Sequence, residues 1–148
     1  MGWFGTNSFA REEERHGMAG ESYLNPENCT SYSAKADALL QCLQKANDEN
    51  YIGEDVSQLE HALQAAACGL NKNAPVAVIL GALFHDIGHL VAPDAPQMDG
   101  LGVLNHEGIG AQLLLDFGCS QEVADLVRYH VEAKRYLCFK KKRYYDRL

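Results

Sequence analysis

The chain has 148 residues, 47% hydrophobic and 22% charged, which suits one domain burying about two-thirds of the surface its unfolded form would expose. Its formal charge of −7 argues against a nucleic-acid backbone as main partner. The longest apolar run, Ala74 to Phe84, is too short to cross a bilayer, so no transmembrane segment is expected.

The first residues lack a basic region followed by an apolar core, so no signal peptide is read there. Five cysteines (Cys29, Cys42, Cys68, Cys119, Cys138) are widely spaced, with no C-x-x-C pair. Reduced thiols packed as small hydrophobes in an intracellular, cytoplasmic protein account for them. Residues 1–30 carry Gly, Asn, Ser and a charge cluster, Arg11 to Arg15, and read as a poorly ordered arm. From Ser31 to about Asp48, Ala36, Leu39, Leu40, Leu43 and Ala46 recur at helical spacing, with Gln41, Gln44 and Lys45 toward water.

A Gly-containing acidic turn, Asn50 to Asp55, leads to the capping box Ser57-Gln58-Leu59-Glu60, which opens a helix to about Leu70. Leu59, Ala62, Leu63 and Ala66 share one face of it, and His61 lies among them. A lone His in that setting is more often a satisfied core residue than a ligand. Asn73 is expected to cap the next helix, with Pro75 in its first turn. That helix runs through Val76-Ala77-Val78-Ile79-Leu80-Gly81-Ala82 into Leu83-Phe84-His85-Asp86-Ile87-Gly88 and should end at Gly88.

An imidazole and a carboxylate are costly beside so much Val, Ile and Leu unless they are paired or coordinated. A metal ion of the Fe, Mn, Zn or Ni type suits both, and Asp86 could bridge two metals through its two oxygens. For this dipeptide alone, an ion pair or a capping Asp is an equal alternative. After a Pro- and Gly-rich loop, a helix from Asn105-His106-Glu107 to Phe117 turns Ile109, Leu113, Leu114 and Phe117 inward and stops at Gly118. Ser120 caps a further helix to about Val131, with Val123, Leu126 and Val127 inward and His130 near its C-terminal end. The basic, aromatic tail from Phe139 to Leu148 reads as helical. No segment alternates strictly, so an all-α bundle of five to six helices over residues 31–148 is expected.

Four helices thus each bring one His toward a buried face or an element end: His61, His85, His106 and His130, with Asp86 beside the second. In this pattern the sequence resembles the HD-domain metalloproteins, named for a His-Asp pair matched here by His85 and Asp86. Tyr51-Ile52-Gly53-Glu54 before His61, the His85-Asp86-Ile87-Gly88-His89 run, and His130 followed by Ala133-Lys134-Arg135-Tyr136 resemble the branch of mixed-valence di-iron oxygenases. That branch includes enzymes cleaving the carbon–phosphorus bond of 1-hydroxy-2-aminoethylphosphonates; myo-inositol oxygenase is a more distant relative.

The resemblance implies that His61, His85 and Asp86 hold one iron, and that Asp86 bridges to a second held by His106 and His130. It implies an Fe(II)/Fe(III) pair, one iron taking substrate oxygens and the other activating O2. Lys134 and His89 would meet the phosphonate, and Tyr51 and Glu54 would form a lid, the carboxylate receiving a substrate ammonium. On composition alone Lys134 is more often a solvated residue of a basic tail, and the resemblance reverses that preference. The family pattern ends on a further Asp, whereas Asp146 resembles a segment preceding that ligand. A truncated form is therefore expected, or one in which water, a neighbouring chain or another anion fills the position. A metal-dependent phosphohydrolase and a binding module with impaired catalysis are the alternative functions.

Overall fold

Serine caps set three of the helix starts. In the computed structural model, which describes residues 24–46, 56–92, 95–98 and 102–146, Ser31, Ser57 and Ser120 each accept from the amide three residues on. Each such cap stabilises its helix by about 1 kcal/mol. The helices they open are α1 (Tyr32–Lys45), α2 (Gln58–Asn71) and, further on, α6 (Gln121–Arg128). At Ser57 the expected capping box is complete, because Glu60 returns its carboxylate to the Ser57 amide at 2.8 Å.

The other described helices are α3 (Val76–Phe84), α4 (Gly88–Val91), α5 (His106–Asp116), α7 (His130–Lys140) and α8 (Lys142–Tyr145). A 3-10 turn at Pro26–Asn28 precedes α1. Among the described residues there is no strand, only an isolated bridge between Gln97 and Val103, so the fold is all-α. Two of the eight described helices are four residues long, which accounts for the larger number than the five to six expected.

Several boundaries differ from the sequence expectation. Asn73 is not an N-cap: it adopts φ 52° and closes α2, its amide bonding Leu70 O and that of Ala74 bonding Gly69 O. This is a Schellman-type end, and Pro75 becomes the N-cap of α3. Gly118 does stop α5, at φ 86°, with the same pair of bonds to Leu115 and Leu114. The helix carrying the His-Asp pair ends at Phe84 rather than Gly88, and Gly88 begins α4 instead. His130 opens α7 rather than closing α6, because Tyr129 caps both.

The core joins Leu39, Cys42 and Leu43 of α1, Ala62 of α2, Phe84, Ile87, Ala111, Leu114 and Phe117, and Val123, Ala124 and Val127 of α6. Leu114 and Val127 are fully buried, each stabilising the fold by about 1.5–3 kcal/mol. Leu40, Leu63 and Leu126, expected inward, are 44%, 52% and 39% exposed, and Ala36 is exposed too, while Ile109 and Leu113 are half-buried. α5 packs on α6 and α4, and α3 on α2 and α6. At the α4–α5 crossing a Cβ on Gly88 would overlap the His106 carbonyl, and one on Gly110 would come 3.2 Å from the Gly88 amide. The missing side chains let the two backbones meet, which brings the His-Asp turn against the start of α5.

Candidate metal centre

The polar residues of the centre stand where helices begin or end. His61 lies in the first turn of α2, directly behind the capping box, and His85 is the C-cap of α3 with Asp86 next to it. His106 is the first residue of α5 and His130 the first of α7. At such positions a side chain reaches across a helix junction rather than along one helix face, so four separate elements converge on one point.

That point is the Asp86 carboxylate. Its Oδ2 lies 3.0 Å from His85 Nε2 and 3.7 Å from His61 Nε2, and its Oδ1 lies 3.3 Å from His130 Nε2 and 3.5 Å from His106 Nε2. Each oxygen therefore faces one pair of imidazoles. Within the pairs the Nε2 atoms are 3.1 Å apart for His61 and His85 and 3.3 Å apart for His106 and His130. The Asp86 side chain is 13% exposed.

Hydrogen bonding fixes which ring nitrogen points inward. His85 Nδ1 donates to Ala82 O at 2.8 Å, His106 Nδ1 to Val103 O at 3.2 Å and His130 Nδ1 to Val127 O at 2.7 Å. A carbonyl only accepts, so these Nδ1 atoms hold the proton and the neutral rings turn Nε2 lone pairs to the carboxylate. Lone pairs of nitrogen and carboxylate oxygen packed at 3.0–3.5 Å repel unless a cation lies among them. The donor set consequently fits metal binding: imidazole Nε2 oriented by carbonyl bonds at Nδ1, with an anion between two pairs. His61, His85 and Asp86 form one group close enough to share an ion.

The electrostatics agree. Burial works to raise the Asp86 pKa, but the imidazoles of His106, His130 and His85, which can each bring a proton to it, outweigh that and hold the carboxyl well below the usual carboxylate range. At His85 burial lowers the pKa, yet the bond to Asp86 and its charge prevail and raise it, against a smaller lowering from the positive charge of Lys134. A proton thus supplies part of the missing positive charge, a role a metal ion fills more completely. Lys134 stands one turn beyond His130 in α7, exposed to solvent. Burial, and then the charge of His106, pushes His89 down to about 4. Its ring stacks on that of His106 with centroids 3.9 Å apart. Beside His130 lies an open cleft of about 580 Å³, lined also by Glu122, Asp125, Leu126, Tyr129 and Ala133.

The structure thus brings together all five residues the sequence marks as ligands, with His89 and Lys134 around them. Tyr51 and Glu54 lie outside the described residues. Asp146 is exposed at the end of α8 and belongs neither to the His61, His85 and Asp86 group nor to Asp86, His89 and His106, the other group able to hold an ion among the described residues. Two contributors are not evident in the sequence. Glu107 places a carboxylate oxygen 3.5 Å from His106 Nδ1, for which its adjacency to His106 at a helix start is the available signal. Val103 acts through its main chain, which no side-chain pattern reports.

A helical bundle in which four histidines surround one half-buried Asp carboxylate has the donor set of a metal-binding class. The HD-domain family model matches residues 52–146, and the chain belongs to that family. It is 44% identical, over 70% of its length and 53% of the relative's, to a [1-hydroxy-2-(trimethylamino)ethyl]phosphonate dioxygenase (glycine-betaine-forming) of Leisingera caerulea. It is 38% identical to a hydroxymethylphosphonate dioxygenase of Gimesia maris, over 65% of this chain and 48% of that one. An uncharacterised protein of Acanthamoeba polyphaga mimivirus shares 36% identity over 70% of this chain and 48% of its own. The chain therefore spans about half the length of the curated relatives it matches. No described helix is long and apolar enough to cross a membrane.

Proposed function

We propose that the chain carries the di-iron centre of an oxygenase that uses O2 to cleave the carbon–phosphorus bond of a hydroxylated aminoalkylphosphonate. The observation that carries this reading is the single half-buried carboxylate with one imidazole pair at each oxygen, in a chain similar to two phosphonate dioxygenases. His61, His85 and Asp86 hold one iron, and Asp86, His106 and His130 the other. An Fe(II)/Fe(III) pair supplies Lewis acidity for substrate oxygens together with one-electron chemistry toward O2.

The remaining roles belong to the chain. Lys134 places an ammonium near His85 and meets the phosphonate dianion. His89 donates a hydrogen bond to the same anion. Tyr51 and Glu54, outside the described residues, would take the roles the resemblance implies, the tyrosine guarding an iron position and the carboxylate receiving the substrate ammonium. The carbon bearing the hydroxyl leaves as a carboxylic acid and phosphorus as inorganic phosphate; both atoms of one O2 enter the products, which balances the equation.

Iron loading followed by metal analysis, low-temperature EPR and an oxygen electrode tests the reading, with hydroxymethylphosphonate and its trimethylaminoethyl analogue as substrates. Two irons per chain, a mixed-valence signal, and phosphate released in proportion to O2 consumed are expected. Phosphoester hydrolysis without O2 uptake would identify a metal-dependent phosphohydrolase instead. Loss of both activities and of iron binding would leave a non-catalytic binding module.

A further inference from the structure

Between α4 and α5 one residue spends both of its main-chain groups on imidazoles. The Val103 N–H donates to His89 Nδ1 at 3.1 Å, and the Val103 carbonyl accepts from His106 Nδ1 at 3.2 Å. The two rings lie nearly parallel, 3.9 Å between centroids and 21° between planes. An amide N–H only donates, so the His89 Nδ1 that receives it carries no proton, and the proton of the neutral ring sits on Nε2. A carbonyl only accepts, so His106 carries its proton on Nδ1 and keeps a lone pair at Nε2. The Glu107 carboxylate at 3.5 Å from the same Nδ1 favours the same tautomer.

We infer that Val103 is a positioning residue that assigns opposite tautomers to two stacked histidines, making His106 a metal ligand and His89 a hydrogen-bond donor barred from the metal. The distinction matters because distance alone does not make it: Asp86, His89 and His106 lie close enough together to share an ion. With Nε2 protonated, His89 offers that ion no lone pair. An ion held by Asp86, His106 and His130 would then not take His89 as a ligand, and the His89 N–H would be left to meet an anionic oxygen beside it. What that N–H meets rests on the proposed function; the tautomers do not.

The loop is built to leave both Val103 groups available. Gln97 and Val103 pair in an isolated antiparallel bridge, closed by Met98 N to Gly102 O and Leu104 N to Pro96 O, both 2.8 Å. Neither bond uses the Val103 N–H or carbonyl. Gly102 at φ 87° and Asn105 at φ 60° turn the chain into and out of this residue, and the Val103 side chain is 3% exposed, which anchors it.

Long-range 1H–15N correlation spectra of uniformly labelled protein, metal-free and zinc-loaded, read the tautomers directly. His89 is expected as the Nε2–H form, with His85, His106 and His130 as Nδ1–H forms in the zinc-loaded protein. An Nδ1–H signal for His89 would overturn the inference. Val103→Pro deletes the N–H and keeps the carbonyl, so it should release the His89 tautomer while His106 stays Nδ1–H. An unchanged His89 spectrum in that variant would also overturn it. Should Val103→Pro not fold, His89→Gln serves: its amide oxygen can accept from Val103 and its NH2 can replace the Nε2–H. On zinc-loaded protein, hydroxymethylphosphonate affinity should fall about ten-fold or more in His89→Ala and be largely restored in His89→Gln. Equal losses in both would count against the donor role. Failure of the parent protein to bind phosphonate would overturn the functional reading alone, since the spectra decide the tautomers without substrate.

Discussion

Replacing Asp86 by Ala should strip metal from the whole centre, whereas replacing any one histidine should strip one half of it. The carboxylate lies within 3.0–3.7 Å of all four Nε2 atoms, and each oxygen serves one imidazole pair. It is also an anion held ionised in a setting that is 13% exposed. Breaking a desolvated charge pair by removing one member costs about 3–5 kcal/mol, which is roughly 10²–10⁴-fold in affinity, and here the loss falls on both ions at once. Two cations left without the anion between them also repel each other. In His106→Ala one half loses a neutral donor, and the His61, His85 and Asp86 group remains whole. Protein dialysed against iron or zinc and then freed of excess should carry about two metals in the parent, about one in His106→Ala or His61→Ala, and almost none in Asp86→Ala. Helical circular dichroism confirms that each variant folds. Equal metal content in folded Asp86→Ala and His106→Ala would refute the bridging role.

Three further outcomes follow from the same geometry. Lys134→Ala should keep its metals but lose hydroxyphosphonate affinity by about 2 kcal/mol, the lower end for a truncated charge pair because Lys134 is exposed; unchanged binding by titration calorimetry would put the anion site elsewhere. Gly88→Ala should destabilise the fold by about 3 kcal/mol and lower metal content, because the new Cβ overlaps the His106 carbonyl; an unchanged urea midpoint would contradict the close crossing. In metal-free protein, His89 has its pKa depressed from 6.5 to about 4, so its share of stability is present above 6.5 and is lost as pH falls toward 4. The raised His85 contributes in the opposite sense, but its share is already complete below 6.5, and that of Asp86 is lost only below the ordinary carboxylate range. A urea midpoint that climbs as pH drops from 6.5 to 4 would contradict this order.

The sequence alone determined the helical class, the capping box at Ser57 and the stop at Gly118, and it marked the five candidate ligand residues that the fold brings together. Caps and helical periodicity act over three or four residues, and a His or Asp set among apolar neighbours is conspicuous wherever it falls. Tertiary structure decided the rest. Leu40, Leu63 and Leu126 look inward by spacing yet are exposed, Leu126 even though it packs over Gly81 of α3. Gly88 reads locally as a helix stop, but its role is to let α4 and α5 touch, a contact with residues eighteen and more positions away in the chain. The same holds for the chemistry. His89 and His106 are the same residue type on adjacent helices, and nothing in their immediate sequence separates a ligand from a donor. The choice between them is made by the N–H and carbonyl of Val103, groups every non-proline residue carries, and only the folded chain brings these two within hydrogen-bond reach of both rings.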